Sequence, residues 1–181
     1  EKMTVRKLLF QNEEFDVSKE DEDKPDFQRH GHETNPEHLE PLLRCGLECN
    51  NAEKAPEDAE TEFYGDPTES ALLVSARRGG REEQSERKRE IPFSSDRKRM
   101  TVITEEDEAF MKGAPEVILE RCSKILIDGE VQELTDEHRE HVLEKNEEFS
   151  SDALRTLGFA RKEFEDAEAD EDKIENDMVF L

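Results

Sequence analysis

Two stretches of this sequence carry side chains suited to holding a purine nucleotide. Phe93 precedes the polar run Ser94-Ser95-Asp96-Arg97-Lys98. Further on, Phe110-Met111 leads into Lys112-Gly113-Ala114-Pro115-Glu116. An aromatic ring offers a face on which a base can stack, and an ammonium faces phosphate or a base edge. A glycine after Lys112 permits close approach of backbone to a ligand. Taken alone, the same residues also suit plainer roles, Phe93 as core at a strand end and Lys112 as an exposed cation.

Other chemistries have little to stand on. The sequence has no Walker phosphate loop and no Gly-rich dinucleotide turn following a strand. Cys45 and Cys49 are four apart on an expected helix, without a matching histidine pair for zinc, and read as small buried residues. His30 and His32 flank Gly31 in an expected loop, and His138 and His141 share a helix face; both pairs read as surface histidines. No serine sits in a nucleophile elbow. No catalytic residue and no metal ligand is assigned.

The elements that must position Phe93 and Lys112 are legible from periodicity. Glu90–Phe93 and Met100–Thr104 read as strands joined by the turn Ser94–Arg99, and Ala109–Lys112 as a third strand. Pro115 opens a helix over Glu116–Cys122. Asp128-Gly129 between Ile125–Ile127 and Val131–Glu133 is a hairpin signal. Thr135–Phe149 has helical period, with Thr135 and His138 partly fitting a capping box. Leu154–Ala160 reads as a strand. Upstream, Met3–Phe10 alternates like a half-buried strand, continued by Phe15 and Val17, and Glu20–Asn35 reads as loop. Leu39–Cys49 is helical, Asn50–Thr61 an acidic loop, and Ser70–Arg77 a helix capped by Asp66 with Pro67 in its first turn. Arg81–Arg89 reads as a connector. The sum is an α+β fold, an antiparallel sheet flanked by helices.

The chain of 181 residues is long enough for one domain with its own core, so positions 1–181 are read as a single domain. It holds 50 acidic against 26 basic residues, a net charge of −24, which argues against nucleic acid or an anionic membrane surface as partner. A salt-rich cytoplasm would favour such a surface. Hydrophobic residues make up only 32%, but the acid concentrates in runs such as Glu13–Asp26 and Glu163–Glu175, read as solvated loops around a folded core. Three cysteines make no disulfide framework and suit a reducing compartment. No apolar run is long enough to span a membrane, and no signal peptide opens the chain. Strand-like sequence at both ends suggests a domain cut from a longer chain.

Gly65-Asp66-Pro67-Thr68-Glu69, Phe93–Lys98, Met111–Glu116 and Asp152-Ala153-Leu154-Arg155 occur in that order. Together they resemble the nucleotide-binding domain of P-type cation-transporting ATPases, in the branch of calcium and sodium–potassium pumps. Heavy-metal pumps carry a His-Pro pair that this chain lacks. Met3-Thr4-Val5 resembles the segment after the family's phosphorylation motif, and Asn176–Leu181 the strand returning to the phosphorylation domain.

The resemblance implies roles position by position. Phe93 would stack on adenine. Glu69 would accept from the adenine amino group, supported by Thr68. Lys98 and Lys112 would line the pocket beside Gly113, Arg155 would reach the phosphates, and Leu157 would cover base or ribose. Ser95 departs from the calcium-pump pattern, which often has arginine there, and Arg97 or Arg99 are the candidates to compensate. The implied ligand is ATP, with Mg2+ ligated mainly outside this domain. The implied partners are the phosphorylation and actuator domains of the same chain, and the implied setting is the cytoplasmic side of an integral membrane protein, without direct membrane contact. The isolated domain is expected to be a monomer that binds ATP without hydrolysing it, since the Asp-Lys-Thr-Gly-Thr phosphorylation motif does not occur. Against the acidic background, moderate salt is expected to raise ATP affinity. Rival readings are an acidic interaction module for a basic partner or calcium, and a freestanding soluble nucleotide hydrolase.

Overall fold

The computed structural model describes residues 2–181. They fall into two compact units, one comprising residues up to Phe10 and Glu14–Gln84, the other Gln11–Glu13 and Ser85–Leu181.

In the first unit β1 (Lys7–Phe10), β2 (Glu13–Val17), β3 (Phe27–Arg29) and β4 (His32–Glu33) form a sheet in that order. Phe10, Phe15, Phe27 and Leu39 are fully or almost fully buried, and the Phe10 and Phe15 rings both meet His38. The β3–β4 hairpin was not expected in the polar stretch 20–35. Its turn is His30-Gly31, both left-handed at φ 50° and 79°, the conformation a two-residue hairpin requires. A 3-10 turn (Pro36–Leu39) leads into α1 (Glu40–Glu48). A short pair, β5 (Glu53–Lys54) and β6 (Phe63–Tyr64), interrupts the expected acidic loop. α2 (Pro67–Arg78) then packs on α1 around Leu47, Ala52, Phe63, Leu73 and Ala76. A Cβ on Gly79, which ends α2, would fall 2.4 Å from Leu43 Cδ1, so a larger residue here would make the end of the Leu43 side chain move.

The second unit contains β7 (Arg87–Ile91), β8 (Arg99–Thr104), β9 (Glu108–Gly113), α3 (Pro115–Glu120), β10 (Cys122–Ile127), β11 (Glu130–Glu133), α4 (Asp136–Ser151), β12 (Gly158–Glu163), α5 (Glu171–Ile174) and β13 (Met178–Phe180). Its sheet has seven strands in the order β11-β10-β13-β12-β9-β8-β7. Every pairing is antiparallel except that of β10 with β13. The α+β class therefore holds, with a single parallel junction. All six residues of β8 are buried, as expected of a strand covered on both faces. Asp128-Gly129 makes the β10–β11 turn at φ 51° and 78°. Thr135 and His138 form a complete capping box, in which His138 Nδ1 accepts the Thr135 N–H at 3.1 Å, a role usually filled by glutamate. Cys122, placed by sequence at a helix end, instead opens β10. α5 lies inside the stretch expected to be a solvated acidic loop.

Candidate functional site

Six of the expected pocket residues converge because of strand register. Arg99, the first residue of β8, pairs with Gly113, the last of β9, and Gly113 pairs with Gly158, the first of β12. Lys98 and Leu157, each one residue before its strand, therefore lie at the same end of the sheet as Gly113. β7 ends there too, with Ile91 opposite Thr101, so Phe93 follows at that end, as does Arg155 three residues before β12. Lys112 sits one residue further in, opposite Met100 on one side and Phe159 on the other. β8 separates β7 from β9, so Phe93 follows a strand two removed from the one that carries Lys112.

Phe93 lies beyond the end of β7 and is 60% exposed, which removes the core reading of this ring. Lys112 is only 6% exposed, which likewise removes the solvent-exposed reading of this cation. Lys98 and Arg155 are exposed, and Leu157 is half-buried. Arg155 and Leu157 are not in a strand as expected. α4 runs to Ser151, Ala153 turns left-handed at φ 62°, and β12 begins only at Gly158. Thr68 and Glu69 belong to the first unit, in the opening turn of α2. Asp66 caps that helix, accepting from the Thr68 N–H at 2.8 Å and the Glu69 N–H at 3.3 Å, as the sequence predicted. Glu69 Oε2 accepts the Asn51 N–H at 3.2 Å, and Thr68 Oγ1 lies 3.4 Å from Met3 Sδ.

Gly113 has a structural reason that the sequence reading missed. A Cβ there would fall 2.3 Å from Lys98 O and 2.8 Å from Arg99 Cα. The close approach it permits is to the chain's own backbone, and Ala114 N–H donates to Lys98 O at 3.0 Å to complete it. The Ser94–Lys98 turn is thereby tied to the end of β9. Within the turn, Lys98 N–H donates to Ser94 O at 2.7 Å and Arg97 N–H to Ser94 Oγ at 3.1 Å, with Lys98 at φ 55°.

Arg97 and Arg99 do not take the place of an arginine at Ser95. Both are committed to Glu175, which is fully buried. Arg97 donates through Nη1 at 2.7 Å and Nη2 at 2.9 Å, Arg99 through Nε at 3.0 Å, and the Thr101 hydroxyl donates as well. Burial alone would push the Glu175 carboxyl up, but these hydrogen bonds and charges hold it below the ordinary glutamate range. Lys112 and Thr101 lie on opposite faces, since residues directly paired share a face and neighbours along a strand alternate. The Glu175 cluster is thus on the reverse of the sheet from the Lys112 side chain. Nothing in the acidic run ending at Glu175 marks it from sequence.

Cys45, Cys49 and Cys122 are buried and outside any disulfide, and burial pushes the Cys122 thiol up to about 12 despite the nearby Arg139 charge. Among the described residues no three or more His, Cys, Asp or Glu side chains gather as metal ligands, and no helix is long and apolar enough to cross a membrane.

A family model for the cytoplasmic N domain of P-type ATPases matches residues 38–181, and the chain belongs to that family. A calcium-transporting ATPase of Lactococcus lactis is 36% identical over 149 residues, covering 77% of this chain and 17% of that protein. The calcium-transporting ATPase of Bacillus subtilis is 34% identical over 153 residues, covering 79% of this chain and 17% of its own length. The Dictyostelium discoideum calcium-transporting ATPase PAT1 is 37% identical over 158 residues, covering 81% of this chain and 14% of its own. The chain thus spans no more than 17% of the length of these relatives.

Proposed function

We propose that residues 1–181 act as one ATP-binding domain of a cation-transporting P-type pump, with calcium as the transported ion. The observation that carries this is Phe93, a large aromatic held 60% exposed on a turn that is itself hydrogen-bonded to the Lys112-Gly113-Ala114 corner. Leaving such a ring in water forgoes its burial, which a stacking ligand restores. Adenine lies on Phe93, with Lys112 and Leu157 lining the pocket beside Gly113. Lys98 and Arg155 meet the phosphates.

The domain's part in catalysis is proximity. It presents the γ-phosphoryl group to an aspartate carboxylate on the phosphorylation domain, which becomes an acyl phosphate as ADP leaves. Mg2+ travels with the phosphates and is ligated mainly by other domains. The parent chain is an integral membrane protein, and this domain lies on its cytoplasmic side.

Titration with ATP and GTP, followed by backbone amide shifts, tests this reading. Saturable shifts at Phe93 and Lys112 with preference for ATP are expected. Phe93→Ala should weaken ATP about tenfold or more, in line with the worth of a base–aromatic stack. No saturable shift, or an unchanged affinity in Phe93→Ala, refutes it.

A further inference from the structure

We propose that Glu175 is the positioning residue of the nucleotide-binding turn, acting on Phe93 through Arg97. This rests on the ATP-binding reading above.

The chain of contacts is continuous. Glu175 sits between α5 and β13 and receives both Nη groups of Arg97, a two-pronged pairing that fixes the guanidinium plane. The same guanidinium donates through Nε to Pro92 O at 3.3 Å, the residue just before Phe93, and through Nη2 to Arg99 O at 3.3 Å. Arg97 therefore braces both ends of the turn that carries Phe93 and Lys98. Arg99 returns a bond from Nη1 to Arg97 O at 3.0 Å while its Nε holds Glu175. One buried carboxylate thus accepts from Arg97, Arg99 and Thr101, and two of these lie in β8 itself. A different course of the turn would take Arg97 and its two hydrogen bonds away from this buried charge, leaving only Arg99 and Thr101 of β8 on it, and that cost favours the arrangement seen.

The arrangement also settles where cationic charge is spent. Arg97 is neutralised on the reverse face, and Glu171 shares it through Oε2 at 3.3 Å. The phosphates are left to Lys98 and Arg155. The turn gains a fixed shape from Arg97, and the ligand gains no ion pair from it.

The test compares ATP affinity of the wild-type chain with Glu175→Gln, Arg97→Met and the double variant, by amide-shift titration. Hydrogen exchange is read at Lys98, Val102 and Met111. Each single variant should weaken ATP about five- to tenfold, and the double variant no more than the weaker single, as expected of residues acting in series. Exchange should quicken at Lys98 while Val102 and Met111 stay protected. Wild-type affinity in folded Glu175→Gln and Arg97→Met overturns the proposal. So does weakening in which Val102 and Met111 loosen as much as Lys98, which is the mark of a merely structural role. If Glu175→Gln does not fold, Arg97→Met, which leaves the Arg99–Glu175 pair in place, decides by the same criteria. Absence of saturable ATP binding in the wild type refutes both readings. Binding that Phe93→Ala abolishes but Arg97→Met leaves intact refutes this one alone.

Discussion

Two acidic stretches, Glu13–Asp26 and Glu163–Glu175, look alike in composition and behave differently. In the first, arginines at the end of α2 meet the acids: Arg77 pairs with Glu20 and Arg78 with Asp26. Those carboxylates remain open to water, Glu20 at 43% and Asp26 at 49% side-chain exposure. In the second, cations of the sheet reach into the stretch and fasten its backbone. Arg89 donates to Ala167 O at 2.9 Å and Ala169 O at 2.6 Å, and Lys162 to Lys173 O at 3.1 Å. The stretch ends in Glu175, with no exposure at all. Sequence composition reports how much charge a segment carries. Desolvation decides what that charge is worth, and only long-range partners decide desolvation.

The largest effect expected from this contrast is that of Glu175→Ala. Removing the carboxylate strands two arginines, one of them buried, and should cost about 3–5 kcal/mol in chemical denaturation. A loss under about 1 kcal/mol, the value of a surface pair, would erase the distinction between the stretches.

The second expectation concerns pH. The Glu175 carboxyl is held below its ordinary range when folded, so its stabilisation is complete above the unfolded value and is lost as pH falls through the folded one. The stability gap between wild type and Glu175→Gln should therefore be constant near neutrality and narrow in acid, below the ordinary glutamate range. Denaturation curves of both proteins at a series of acidic pH values give the gap directly. A gap that widens in acid contradicts the depressed value.

The smallest effect should come from Glu20→Gln, which removes one of the two carboxylates paired with the part-exposed Arg77 in the first stretch. It should cost less than about 1 kcal/mol, and salt should shrink that cost further. Thermal melts of wild type and variant at low and high salt measure both.

Much of the fold was legible in the sequence. Strands β8 and β9, the Asp128-Gly129 hairpin and the Asp66 cap follow from local chemistry, and their residues sit where that chemistry put them. His30-Gly31 makes the same kind of turn as Asp128-Gly129. It went unread because the strands on either side are two and three residues long and mostly polar, so no alternation announced them. The capping box of α4 looked incomplete because histidine stands where glutamate is usual. The site was legible in part. The exposure of Phe93 and the burial of Lys112 fit the ordered motifs, but no local rule yields them. Arg97 and Arg99 look like ligand contacts beside Phe93, and their true partner lies 78 and 76 positions away. A glutamate at the end of an acidic run gives no periodic or compositional sign that it is buried.

The parallel junction has a consequence for how the second unit comes together. β13 lies between β10 and β12, although it follows both in the chain. Before it arrives, β7, β8, β9 and β12 can zip up as one ribbon and β10 with β11 as a separate hairpin. Neither has a partner on the edge that β13 will fill. Its insertion closes long loops on both sides, the slow kind of contact in folding. Until then two bare strand edges stand open to other chains, so the assembly step most exposed to mispairing is the seating of three residues, Met178–Phe180.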